Sequence, residues 1–169
     1  VMGDAQFLDE VTVVNGTIYA FVSHWNKAAG KHALLVKELG LDGKLTDIAE
    51  LDMIQAEKMG NRGNYRRAIS DNGTKLMVLS ELPFVKGTKE KIRLTCFALP
   101  TMERLWSHEQ ELEFEADKGA AQEVAVDDVG RAYLYKKSWQ KPVWVYRLYG
   151  YDGKGNWKTH AVSGPEGME

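Results

Sequence analysis

The sequence predicts an all-β chain of three four-stranded antiparallel repeats, on three observations. The first is self-similarity. Val13–Ser23, Ile69–Ser80 and Val126–Tyr135 each place a turn glycine before an apolar strand, and Gly16, Gly73 and Gly130 are equally spaced. The second is order, because each glycine is followed by strand, loop, strand, turn and strand. The third is the weakness of any helical pattern. The best stretch, Asp47 to Met59, is amphipathic only over Ile48, Leu51, Met53-Ile54 and Ala56, which suits one helical turn in a connection.

Each element has a local reason. Asn15-Gly16 and Asn72-Gly73 have the chemistry of two-residue hairpin turns, since both positions must accept positive φ and Asn and Gly do so at little cost. Asp128-Val129-Gly130 is a looser version. The strands after these turns carry Tyr19-Ala20-Phe21, Leu76-Met77-Val78 and Tyr133-Leu134-Tyr135. Further apolar runs follow at Ala33 to Leu39, Ile92 to Leu99 and Val143 to Tyr149. They end at turns, Leu41-Asp42-Gly43-Lys44, Leu99-Pro100-Thr101-Met102 and Tyr151-Asp152-Gly153-Lys154. The closing strands are Leu45 to Leu51, Arg104 to Phe114 and Asn156 to Val162. The units therefore run Phe7 to Met53, Asn64 to Phe114 and Gln122 to Val162, in a single β domain with a tail at 163–169.

Units of this size and order resemble β-propeller blades of a loose Asp-x-Gly type. The Gly-His and Trp-Asp pairs of WD40 repeats are absent. The run from Phe7-Leu8-Asp9-Glu10-Val11 through Tyr19-Ala20-Phe21 is similar to part of large bacterial envelope proteins with propeller-like repeats. That resemblance implies a periplasmic or cell-envelope location and carries no activity with it. Propellers use at least about four blades, so three repeats imply missing blades or a second chain to cover the open edges. A two-sheet β-sandwich is the alternative, since alternating strands with Gly-rich turns satisfy that fold as well.

Composition narrows the function classes. With 22 basic and 24 acidic residues the chain carries a net charge of −2, against the basic excess of a general nucleic-acid or anionic-membrane binder. The expected partners exclude nucleic acid and exclude direct membrane insertion, because no run reaches the ~18 apolar residues of a spanning helix. Val1-Met2-Gly3-Asp4-Ala5 lacks a charged-then-apolar signal pattern. A single cysteine, Cys96, rules out an intrachain disulfide and a multi-cysteine zinc site.

Catalytic motifs are missing too. There is no phosphate-cradling loop, no dinucleotide fingerprint, no His-Glu-x-x-His and no Gly-x-Ser-x-Gly. His24 and His32 bracket one loop, but without a Cys or an acid at fixed spacing they read as loop histidines. His108 and His160 lie apart. Asp152-Gly153-Lys154-Gly155-Asn156 has lysine where a calcium loop needs oxygen, so it reads as a hairpin turn. Asp127-Asp128 reads as turn chemistry rather than an acid/base pair, and Cys96 as a small core residue. No catalytic residue, metal or cofactor is expected.

The one recurrent feature lies in the loops between second and third strands. Each couples an aromatic to a lysine: Trp25 with Lys27, Phe84 with Lys86, Trp139 with Lys141. Aromatic faces suit sugar rings and peptide side chains, and ammonium groups suit carboxylate or phosphate. The connection from Lys58 to Arg67 adds Arg62 and Arg66 beside Gly60 and Gly63. The same aromatics also suit packing against neighbouring repeats. The sequence thus predicts a non-catalytic binding or assembly module for a protein, peptide or glycan. The alternative is part of a propeller hydrolase or lyase whose catalytic residues lie partly outside this chain.

Overall fold

The computed structural model describes residues 4–117 and 119–162; the 163–169 tail lies outside them. The fold is all-β. The twelve strands among the described residues are β1 (Asp4–Val14), β2 (Thr17–Asn26), β3 (Lys31–Leu39), β4 (Leu45–Gln55), β5 (Asn64–Ile69), β6 (Lys75–Glu81), β7 (Lys89–Ala98), β8 (Glu103–Glu115), β9 (Gly119–Val126), β10 (Ala132–Gln140), β11 (Val143–Tyr151) and β12 (Trp157–Val162). They form three four-stranded sheets, β1 to β4, β5 to β8 and β9 to β12, each with its strands in chain order. The pairings within the first and third sheets, and that of β7 with β8, are antiparallel. This meander is blade-like, and it is the predicted fold class.

Turn geometry departs from the sequence expectation at one place, and the departure matters below. Asn15 and Gly16 have φ of 49° and 84°, so β1 and β2 join by the predicted two-residue turn, with Val14 opposite Thr17. At Asn72-Gly73 only the glycine is left-handed, at 68°. There the Ser70 amide donates to the Lys75 carbonyl and the Gly73 amide to the Ser70 carbonyl, which makes a longer loop. Ser70 explains the difference: its hydroxyl accepts from the Thr74 and Lys75 amides and holds the loop open. The equivalent turn in the third sheet closes one residue sooner, Asp127 amide to Arg131 carbonyl. Counted from these closures, Lys75 corresponds to Arg131, Met77 to Tyr133 and Leu79 to Tyr135. Counting from the equally spaced glycines sets the register off by one.

The weak helical pattern over Asp47 to Met59 gives way to a strand, which runs past the expected end at Leu51. Residues up to Gln55 continue β4, and the connection that follows holds a 3-10 turn at Met59–Asn61. Pairing with β3 overrides the local pattern there: Ile54 stands opposite His32 and Met53 opposite Ala33.

Two compact units divide the chain. Of the described residues, one holds those up to Tyr65 with Ser80–Pro83; the other holds Arg66–Leu79 and those from Phe84 to Val162. In the first, Tyr19, Phe21, Trp25, Leu34, Val36 and Ile54 are buried. In the second, one core joins two sheets face to face. Met77, Leu79, Ile92, Leu94, Cys96, Leu112 and Phe114 come from the second sheet, and Val126, Ala132, Leu134, Tyr149 and Tyr151 from the third. Removing each such side chain from water contributes about 1.5–3 kcal/mol.

Polar contacts fix the register of that core. The Trp106 indole donates to the Gly130 carbonyl at 3.0 Å, and the Asn72 amide to Asp128 at 3.1 Å. Gly153 passes so close to Trp106 that a Cβ would lie 2.6 Å from its indole nitrogen. The buried Lys136 ammonium pairs with Glu90 and lies 5.4 Å from the Phe114 ring centre.

Candidate functional site

Strand alternation gives the third sheet two unlike faces. Ala132, Leu134, Lys136 and Ser138 on β10 are buried, with Tyr149 and Tyr151 on β11. Tyr133, Tyr135, Lys137 and Trp139 point the other way. Opposite them on β11 stand Gly150, Leu148, Tyr146 and Trp144, and β12 adds Lys158, His160 and Val162 across from Gly150, Leu148 and Tyr146. This outward face is aromatic and basic, and it is open: Trp139 is 36% exposed and Trp144 40%.

Its rings and charge are organised. Trp139 meets Trp144 edge-on at 5.1 Å, and Tyr135 stacks on Tyr146 at 6.3 Å. Between these pairs the Lys137 ammonium sits 4.5 Å from the Trp144 ring centre and 5.5 Å from that of Tyr146. A cation above an aromatic face is attracted by the ring quadrupole. The lysine therefore stays on the face.

At the turn end of the same face is a groove of about 540 Å³, lined among others by Arg131, Tyr133, Leu148, Gly150, Lys158 and His160. Its floor exists because Gly150 has no side chain; a Cβ there would meet nothing within 4 Å. Two nearby carboxylates, Asp152 in the lining and Asp127 behind Arg131 and Tyr133, are committed to their own turns. Asp127 takes hydrogen bonds from the Arg131 backbone and guanidinium and from Tyr133. Partial burial pushes the Asp127 carboxyl up, but those bonds outweigh it and hold the group below its ordinary range. Asp152 accepts from the Asn156 side chain at 2.6 Å and from the Lys154 and Asn156 amides. These bonds, the Asn156 side chain first, lower its pKa as well. The groove offers a flat imidazole, an ammonium, a guanidinium and apolar walls.

The residues expected from the sequence divide between the two units. Trp25 is a correction: at 3% exposed it packs in the core of the first unit and presents no open face, while Lys27 beside it is exposed. Arg62 is structural in the same unit. Its guanidinium donates to the Met59 carbonyl and lies 5.5 Å from the Phe7 ring centre, and its own carbonyl is 3.3 Å from His32 Nδ1. Arg66 is exposed on β5 and belongs to the other unit. Phe84 and Lys86 lie exposed in the β6–β7 loop, and Lys141 in the β10–β11 turn.

Trp139 does reach an aromatic site, but with Trp144 and Lys137 rather than with Lys141. Loop spacing missed Lys137, Trp144, Tyr146, Leu148, Gly150, Lys158 and His160. Alternation along Tyr133, Tyr135, Lys137 and Trp139 was the signal that points to them.

The remaining chemistry is structural. His24 and His32 sit on neighbouring strands but opposite faces, since His32 stands across from Trp25 and His24 across from Ala33. His32 is buried, its ring tilted against that of Tyr65 with centroids 4.9 Å apart. Burial first and the Arg62 charge second lower its pKa. Among the described residues no group of three or more His, Cys, Asp or Glu side chains can hold a metal ion, and no helix is long and apolar enough to cross a membrane. Compared with known proteins, the chain matches no family model and no curated protein.

Proposed function

We propose that this chain is a non-catalytic binding or assembly module of β-propeller type, and that the outward face of its third sheet is the docking surface for a further protein sheet. One observation carries the reading. By turn closure and strand register, this face corresponds to the face of the second sheet that the third sheet covers. Met77 and Leu79 there are fully buried, and the corresponding Tyr133 and Tyr135 lie only partly buried.

A face with Trp139, Trp144, Leu148 and Val162 all exposed is a patch of the kind that marks an interaction site. Tryptophan and tyrosine anchors have the composition of an interface centre, and Lys137 lies over their rings with its charge partly offset by them. The propeller resemblance supports the same reading, since successive blades pack face to face. A bacterial envelope location comes with that resemblance alone.

Light scattering tests it. The chain as it stands is expected to give a mass that rises with concentration above 19.0 kDa. Trp144→Ser with Leu148→Ser is expected to return a monomer that unfolds as cooperatively as before. A chain monomeric at every concentration, with or without those substitutions, would overturn the docking reading.

A further inference from the structure

The second and third sheets repeat one another on their fourth strands. On β8, His108 stands opposite Leu94 and Trp106 opposite Cys96. On β12, His160 stands opposite Leu148 and Lys158 opposite Gly150. These are the same four places in two successive sheets. In the second sheet they are occupied from outside: Tyr151 of the third sheet lies flat on the His108 imidazole, centroids 4.2 Å apart and planes 13° apart. The same ring meets Trp106 edge-on at 5.0 Å. In the third sheet the four places form the groove over Gly150.

From this correspondence we infer that the groove is the receptor for one aromatic side chain, a phenol ring brought by a further β-sheet unit, which stacks on His160 as Tyr151 stacks on His108. The inference rests on the docking reading above and names what enters the groove. The differences between the two sheets favour a ring with a polar tip. Gly150 replaces Cys96 and deepens the floor. Lys158 replaces Trp106, so an ammonium stands where the neighbouring indole stood and can meet a hydroxyl or a ring face. Tyr151 is itself engaged against His108, so the incoming ring belongs to another sheet.

The test uses the whole chain and p-cresol, the tyrosine side chain as a free molecule, followed by NMR of the histidine ring protons. A stacked ring shifts the protons of the ring beneath it upfield. The His160 resonances are expected to move upfield and saturate, while those of the already covered His108 stay in place. Gly150→Leu is expected to weaken p-cresol binding at least tenfold. The backbone at Gly150 is outside the left-handed region and its Cβ site is empty, so that variant keeps the fold. His160→Ala should abolish binding as well.

Unmoved His160 resonances, or equal p-cresol affinity in Gly150→Leu, would overturn the inference. So would glucuronate or cellobiose shifting His160 where p-cresol does not, which would make the groove a carbohydrate site. The two readings fail separately. If association still depends on Trp144 and Leu148 while p-cresol has no effect, only the groove assignment falls. If p-cresol binds and the chain never associates, the docking reading falls instead.

Discussion

Leu94 and Leu148 hold the same place in successive sheets, each across from the histidine of a fourth strand, yet Leu94 is 1% exposed and Leu148 37%. The difference lies in what covers them. Leu94 sits in a face that the third sheet closes, among Met77, Leu79, Ile92 and Cys96. Leu148 sits in a face of rings and cations. A repeated sheet thus makes the same surface twice, covered in the second sheet and open in the third. The residue types follow: the dry face is aliphatic, whereas the face open to water keeps rings and ammonium groups.

The largest expected effect compares two adjacent lysines on opposite faces of β10. Lys136 is buried and paired with Glu90, so Lys136→Ala leaves an unpaired buried carboxylate and should cost about 3–5 kcal/mol in denaturant unfolding. Lys137→Ala removes a partly exposed cation–π contact and should cost under about 1 kcal/mol. Equal losses would mean that the two faces are not distinct environments.

Next comes the leucine pair. Leu94→Ala opens a cavity in a close-packed core and should cost about 2–5 kcal/mol. Leu148→Ala, already half in water, should stay within about 0.5 kcal/mol. Should a covering sheet be present in the sample, the two costs would converge, and that convergence would sharpen the correspondence between the faces.

The third test uses a thiol as a probe of cover. Cys96 is fully buried, and burial pushes its thiol up to about 11, with the Lys75 charge opposing that shift only in part. Iodoacetamide at pH 8 should therefore leave it untouched until the chain unfolds. Gly150→Cys puts a thiol at the corresponding open place. It should react on the order of a hundredfold faster than Cys96, from the difference in thiolate fraction alone. A slow reaction at position 150 would mean that the groove is already closed.

Most of the fold was legible because turns and alternation are local. Asn15-Gly16 fixes its hairpin through two positive φ values, and the apolar runs after each turn glycine become the strands the sequence predicts. What the sequence hid was the face each residue takes. One extra residue in the Ser70–Lys75 loop shifts register by one, and in a strand that single step exchanges inside for outside. Aligned by glycine, Leu76 matches Tyr133; aligned by hydrogen bonds, Met77 does. The site was less legible for the same reason. Pairing aromatics with lysines along the loops finds Trp139 but gives Lys141 instead of Lys137, and it takes Trp25 from the core for a surface ring.

The smallest expected effect is the most specific to the correspondence. His108 carries Tyr151 on its ring, so His108→Ala removes a stacked pair and should cost about 0.5–1.5 kcal/mol beyond the area lost. His160→Ala touches a ring on which no described residue is stacked and should be neutral within about 0.5 kcal/mol. Unfolding alone therefore separates the two histidines in the chain as it stands. With p-cresol at saturation the separation should narrow, because His160 then holds a ring of its own and the bound probe stabilises only the form that retains the imidazole. The narrowing should vanish in Gly150→Leu, whose side chain occupies the place the ring needs. If His160→Ala were already as costly as His108→Ala without any probe, the groove would be filled from within the chain, and no further sheet would be required to complete it.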